Sequence, residues 1–278
     1  MSTLRGPLVS AATPLVILAV LLLLLMTPFY MHAVLDAAGS AAILGVAPAE
    51  AHELSDRTVG ELVFGPGTFG AVPCGPDVAR LSDNAYDCFY DEAERAHLRD
   101  ARLVLTGFLI LATAAAYTLV LQAKRSRGST WFWRSVARGA GVLAVALTVV
   151  GAFFLVAFDT AFELFHRIFF PGGNWAFDPA TQRLVQLYPI AFWQLTVAAL
   201  GVLAVGGGSV TWWLARRRAR AADRSETSRH AVAARSIGRI DVTPPPSAGA
   251  EVPPSTVRAG SWSTTRPMTS STPLRRRG

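Results

Sequence analysis

Charge is what this sequence has least of. Of its 278 residues only 16% are Asp, Glu, Lys or Arg, where an ordinary soluble domain carries about 25%. With 51% of the residues hydrophobic, the shortage points to lipid as the solvent. Charge is missing altogether from Leu8 to Leu35, Leu103 to Leu121, Gly139 to Phe158 and Ala191 to Leu214. Each stretch reaches the roughly 17 to 25 residues of a tilted membrane-crossing helix. A fifth uncharged run, Ala37 to Ala49, is too short to span. Lysine is nearly absent too, Lys124 being the only one, so the formal charge of +7 is arginine in origin and lies mostly at span ends and in the tail. That placement argues against a nucleic-acid partner and for attraction to anionic inner-leaflet lipid.

Other absences narrow the chemistry. The first and fourth stretches hold no acid. This argues against a di-iron carboxylate bundle, which needs a glutamate from each of two further helices, despite the pairs Glu94-x-x-His97 and Glu163-x-x-His166. No Gly-x-Ser-x-Gly nucleophile elbow occurs in an outer segment, and no phosphate-cradling glycine loop is present. Gly206, Gly207 and Gly208 lie inside the fourth span and read as packing or bending residues. Cysteine occurs twice, at Cys74 and Cys88, with thirteen residues between them. Outside the cytoplasm such a pair reads as a disulfide rather than a metal site.

What remains is an all-α polytopic membrane protein with a small extracytoplasmic subdomain. The first apolar run exceeds the roughly 7 to 15 residues of a signal peptide's core and reads as a retained anchor. Lys124, Arg125, Arg127, Arg134 and Arg138 between spans two and three, and Arg216, Arg217, Arg218 and Arg220 after span four, place both termini in the cytoplasm. Between Asp36 and Arg102, twelve acids face five arginines, which suits the other side. The expected layout is a four-helix membrane domain over 1–220, with spans at about 10–35, 103–121, 139–158 and 191–214 and extracytoplasmic segments 36–102 and 159–190. A Pro-, Ser-, Thr- and Arg-rich tail over 221–278 is expected to be disordered.

Within the first outer segment, Val59 to Phe64 before Gly65-Pro66-Gly67 predicts a short strand pair, and helix resumes from about Ser82. In the second, the third span continues as helix to Phe170, ends at Pro171-Gly172-Gly173, and a short helix opens at Asp178-Pro179. Phe162, Phe165, Phe169, Phe170, Trp175, Phe177, Tyr188, Phe192 and Trp193 make an aromatic shelf at headgroup level.

Two places set histidine beside carboxylates. Helical spacing puts Glu94 and Asp100 one turn either side of His97, and Asp159 and Glu163 on the His166 face. A carboxylate that bonds one ring nitrogen fixes the tautomer and leaves the other nitrogen to exchange a proton. The alternative is that the carboxylates merely pair with Arg95, Arg99 or Arg167 and the histidines are interfacial polar residues. A zinc held by His97, His166 and a carboxylate, as in a membrane hydrolase, is a further alternative. His32 and His52 lack such surroundings and read as incidental.

At these residues the sequence resembles the lipoprotein intramolecular transacylase (Lit) family of four-span bacterial membrane proteins. The match runs through Phe158-Asp159, Phe165-His166-Arg167-Ile168-Phe169-Phe170, Asn174-Trp175, Phe177-Asp178-Pro179, Thr181 and Leu187-Tyr188-Pro189, and again through Glu94 with His97-Leu98-x-Asp100. The resemblance implies an enzyme of the bacterial plasma membrane that moves an acyl chain from the sn-2 position of a lipoprotein's diacylglyceryl group to the α-amino group of its N-terminal cysteine. The catalytic pair would be His97 and His166, with no metal or cofactor. Asn174 would stand near the developing oxyanion, Asp100 or Asp159 would orient histidine, and Glu163 and Trp175 would support them. Membrane lipid and a bacterial lipoprotein are the implied partners. The chain departs from the family pattern at Gln182 and Ile190, where acids are usual, so a membrane binding or assembly protein on the same scaffold stays as the non-enzymatic alternative.

Overall fold

The computed structural model describes residues 4–70 and 89–237, with side chains to 235. The chain divides into Met1–Val232 and Ala233–Gly278. The first unit holds every described helix, apart from the end of the last one. Its elements are α1 (Arg5–Leu25), α2 (Pro28–Ala38), α3 (Ser40–Leu44), α4 (Pro48–Val63), α5 (Glu92–Ser126), α6 (Thr130–Val156), α7 (Phe158–Phe169), α8 (Arg183–Leu187) and α9 (Ile190–Ile237). Four of them, α1, α5, α6 and α9, are long and apolar enough to cross a membrane. Among the described residues there is no strand. This is an all-helical multi-pass membrane protein.

The spans pack where side chains are small. α1 lies along both α5 and α6. At Gly139 of α6 a β-carbon would collide with the Ser10 backbone carbonyl of α1, and nearby the Ser10 hydroxyl donates to the Ser135 carbonyl at 3.0 Å. Backbones that approach this closely gain dispersion and polar contacts where lipid supplies no hydrophobic drive. Gly208 makes the same kind of approach from α9, with the position of its absent β-carbon 3.1 Å from the Ala140 carbonyl oxygen.

At one end the short helices build a cap with a core of its own, centred on Leu35, Leu54, Phe69, Tyr90, Leu187 and Tyr188. Each large apolar side chain buried there contributes about 1.5 to 3 kcal/mol. The two buried tyrosines find polar partners on α4: Thr58 Oγ1 lies 2.8 Å from Tyr90 Oη, and Tyr188 donates to Ser55 Oγ at 3.1 Å. Burial raises Tyr90 well above the ordinary phenol range and pushes Tyr188 up to about 12, so both stay protonated. Also on α4, the His52 ring stacks on His32 of α2, centroids 4.2 Å apart and planes within 2°. Each ring reaches a carboxylate of the other helix, His32 Nε2 at 2.9 Å from Asp56 and His52 Nε2 at 2.8 Å from Asp36. These histidines are not incidental: the repeated His-x-x-x-Asp at 32–36 and 52–56 builds a reciprocal clasp between α2 and α4.

Several sequence expectations shift. The first span is shorter than 10–35, because Pro28 takes the first position of a new helix and α1 stops at Leu25. Val59 to Val63 is the end of α4, not a strand, since the amphipathic pattern starting at Pro48 carries through it. α5 starts at Glu92, where Asp91 and Glu94 form a reciprocal capping box; Ser82, where helix was expected to resume, lies outside the described residues. The helix expected to run unbroken to Phe170 breaks at Ala157, whose φ of −140° and ψ of 55° end α6 and start α7. The short helix expected to open at Asp178-Pro179 begins instead at Arg183, as α8, and Asp178 accepts the Ala180 N–H in a tight turn before it. α9 continues past residue 220 to Ile237, so the first part of the expected disordered tail is helical. Ala221, Ala222, Glu226 and Ala231 are good helix formers, and Glu226 reaches across to the α6 N-terminus at Thr130. Cys74 and Cys88 lie outside the described residues.

Candidate active site

α5 carries His97 in its second turn, about 9 Å of helix rise before the uncharged stretch begins at Leu103. α7, turned away from α6 by the break at Ala157, carries His166 on its buried side. The two elements bring the rings together, centroids 6.0 Å apart and planes inclined by 28°. Both histidines are buried, His97 at 9% and His166 at 8% exposure. Their neighbours are aromatic: Phe170 and Phe177 lie 4.7 and 5.5 Å from the His97 ring, and Phe162 and Trp175 lie 4.1 and 5.0 Å from that of His166.

The orienting groups differ from those the spacing indicated. His166 Nδ1 sits 2.8 Å from the Phe162 carbonyl, which fixes the Nδ1–H tautomer and leaves Nε2 as the free base. Asp159 and Glu163 are exposed, and Glu163 pairs with Arg167 at 2.6 Å. Neither carboxylate reaches His166, because that ring turns inward to its own helix backbone. Glu94 does not flank the His97 ring. Its carboxylate, 1% exposed, accepts the Asp91 N–H at 2.7 Å and the Leu184 N–H at 2.6 Å. It therefore ties the start of α5 to α8.

Asp100 does bear on His97, through Asn174. Asn174 Nδ2 donates to Asp100 Oδ2 at 2.7 Å, which commits one N–H of the amide expected near an oxyanion. The Asn174 Oδ1 and His97 Nδ1 atoms are both buried without a hydrogen-bond partner. Asn174 is close enough to favour the charged imidazole, although no bond between the two meets hydrogen-bond geometry in this resting arrangement. Gln182 donates to Asp91 at 3.1 Å and accepts the Asp178 N–H at 2.7 Å. An acid there would face the Asp91 carboxylate.

The electrostatics favour neutral rings. Burial, then the repulsion of His166, lowers His97 to about 4, with Asn174 and Asp100 opposing in that order. Burial lowers His166 as well, against the Phe162 carbonyl. A cavity of about 220 Å³ opens on both rings and runs inward past Trp175 and Phe177 to Leu22 of α1 and Leu200 of α9. Its wall is apolar apart from the histidines and a few hydroxyls. Such a space accepts a hydrocarbon chain with its polar end at the imidazoles. Among the described residues no group of three or more His, Cys, Asp or Glu side chains could hold a metal ion.

The fold has solved counterparts. The in meso structure of the membrane integral lipoprotein intramolecular transacylase Lit from Bacillus cereus superposes with a TM-score of 0.64 at 16% identity, covering 78% of this chain and 95% of that one. Variants of that protein with one histidine replaced by arginine or by alanine superpose at 0.58, also at 16% identity, covering 80% or 78% of this chain and 93% of theirs. No curated protein sequence matches the chain. The family model for lipoprotein intramolecular transacylase Lit matches residues 77–193. The matched stretch, which holds both buried histidines, is what this chain shares in sequence with the lipoprotein intramolecular transacylase Lit family.

Proposed function

We propose that this protein is a membrane acyltransferase that moves an acyl chain within one lipoprotein, from the sn-2 ester of the diacylglyceryl group to the α-amino group of the N-terminal cysteine. The observation that carries the reading is the pair of buried, neutral imidazoles at the polar end of an apolar cavity. With both termini and the arginine-rich ends in the cytoplasm, the cap and the histidines face outward, where a mature lipoprotein presents its lipidated N-terminus.

His166 Nε2, free because Nδ1 is bound to the Phe162 carbonyl, takes the proton from the amine as its nitrogen attacks the ester carbonyl. The C–N bond forms, the tetrahedral carbon collapses, and the C–O bond to glycerol breaks. The glycerol oxygen leaves with a proton from the histidine pair. A charge on His166 disfavours one on His97, which suits the pair to a single proton passed from nitrogen to oxygen. Holding ester and amine in one molecule makes proximity the chief source of rate, and conversion of ester to amide drives the reaction forward. Asn174 and Asp100 position His97, and Trp175 and Phe177 keep water from the rings.

The test is mass spectrometry of one abundant lipoprotein's N-terminal peptide from cells with and without this protein. The expected result is an N-acyl, lyso-glyceryl form that disappears on deletion and returns with wild type but not with His166→Ala. An acyl pattern indifferent to the protein would overturn the reading.

A further inference from the structure

The end of the molecule away from the histidines holds a second built cavity. Between α6 and α9 lies a space of about 530 Å³ lined by Arg134 and Arg138 from α6 and by Arg216 and Arg220 from α9. In each helix the two arginines are four residues apart, so each pair occupies one face, and the faces are turned toward each other. An adjoining cavity of about 550 Å³ shares Arg134, Arg138 and Asp223. Asp223 is the one carboxylate lining this space: it lies 3.7 Å from Arg134, with both side chains more than half exposed, a pairing of little strength, while Glu226 of the adjoining cavity is engaged by Thr130. Arg138, Arg216 and Arg220 make no ion pair among the described residues. The floor is the Trp212 ring, lying against Gly141, where a β-carbon would come within 3.1 Å of the indole. Arg216 lies over the same ring at 4.9 Å.

Topogenesis alone does not require this arrangement. The positive-inside rule asks for basic residues near a span end and is satisfied by side chains that point into water. It does not make four arginines from two distant segments converge on one cleft. Trp131 and Trp133 open α6 and Trp212 and Trp213 close the uncharged stretch of α9, with Arg217 4.4 Å over Trp213 and Arg218 6.0 Å over Trp133. Indoles prefer headgroup depth, so the cleft opens where lipid phosphates lie. From its rim the exposed Val142, Val145 and Val149 continue along α6 toward the membrane interior, offering a flank to hydrocarbon chains.

We propose that the cleft between α6 and α9 binds the phosphodiester head group of an anionic phospholipid from the leaflet at that end of the bundle. Guanidinium forks meet phosphate oxygens two at a time, and the indole floor packs against the glycerol. The proposal does not depend on the reaction at the histidines.

The test is native mass spectrometry of the full chain in detergent, titrated with phosphatidylglycerol or with phosphatidylcholine of the same chains, with and without excess inorganic phosphate. Phosphatidylglycerol should be retained and phosphatidylcholine should not. The double variant R138Q/R220Q should weaken retention roughly tenfold or more, while R125Q/R127Q, equally basic but outside the cavity, should change it less than about twofold. Equal retention of both lipids, equal loss in both variants, or full displacement by inorganic phosphate would each overturn the proposal. Photo-crosslinking of wild type with photoactivatable phosphatidylglycerol should label peptides around Arg134–Val142 and Trp212–Asp223. Labelling elsewhere would overturn it without any variant having to fold.

Discussion

The Glu94 carboxylate accepts the Leu184 backbone N–H at 2.6 Å across ninety residues of sequence. With its other oxygen on the Asp91 N–H, it satisfies the first turn of α5 and fixes the α8 corner to the helix that carries His97. Burial raises its pKa, with those backbone donors opposing. Glu94→Ala leaves buried N–H groups unpaired and should cost about 2 to 4 kcal/mol. Glu94→Gln keeps one acceptor and should cost about half as much. Thermal unfolding in detergent measures both, and equal melting temperatures for the two would refute this role.

Burial of the histidine pair sets a pH dependence whose sign is definite. Folded His97 takes its proton only near pH 4, whereas the unfolded chain takes it near 6.5. Between those values the unfolded state binds more protons. Stability therefore rises with pH across that window and is lost as pH falls through it, by on the order of 2 kcal/mol for this group. Melting temperatures from pH 7 to 4 should show the decline, and His97→Gln should flatten it.

The same desolvation should appear in the activity profile. An acid limb below 6.5 is expected for acyl transfer by wild type, its midpoint a property of the coupled pair. Trp175→Ala and Phe177→Ala admit water to the rings and should move the limb upward toward 6.5. A limb that stays put would remove these aromatics from the account.

Asn174 links Asp100 to the surroundings of His97, so it should act on turnover rather than on binding. Asn174→Ala should lower kcat about tenfold with KM nearly unchanged. Asn174→Asp sets a second carboxylate beside His97 and should raise the acid limb, a readout that a purely structural role would not move.

At the α1–α6 crossing, Gly139→Leu drives a side chain into the Ser10 carbonyl and should abolish accumulation of folded protein. Gly151→Ala, with open space around its β-carbon, should be neutral within about 0.5 kcal/mol. Expression and detergent melting of the two compare them directly.

Composition by itself determined the membrane architecture. Four uncharged runs leave no other way to satisfy the backbone in lipid than four helices, and all four are present, with bounds moved where Pro28 and Ala157 interrupt a run that is uniformly apolar. The pair His97 and His166 was legible as two histidine motifs outside the spans, because each sits one helical turn from acids. Their meeting was not legible, nor were their partners. A backbone carbonyl four residues back, Phe162 O, has no sequence signature, and it took the place that spacing assigned to Asp159 and Glu163. Glu94 read as a histidine partner yet serves two backbone N–H groups, one of them ninety residues away. The His32–His52 clasp and the four-arginine cleft arise from residues far apart in the chain, each unremarkable alone. Periodicity reports which face of a helix a residue occupies. Which other helix that face meets depends on how α7 turns at Ala157 and how closely Gly139 and Gly208 let the spans approach, and only the packed tertiary structure settles that.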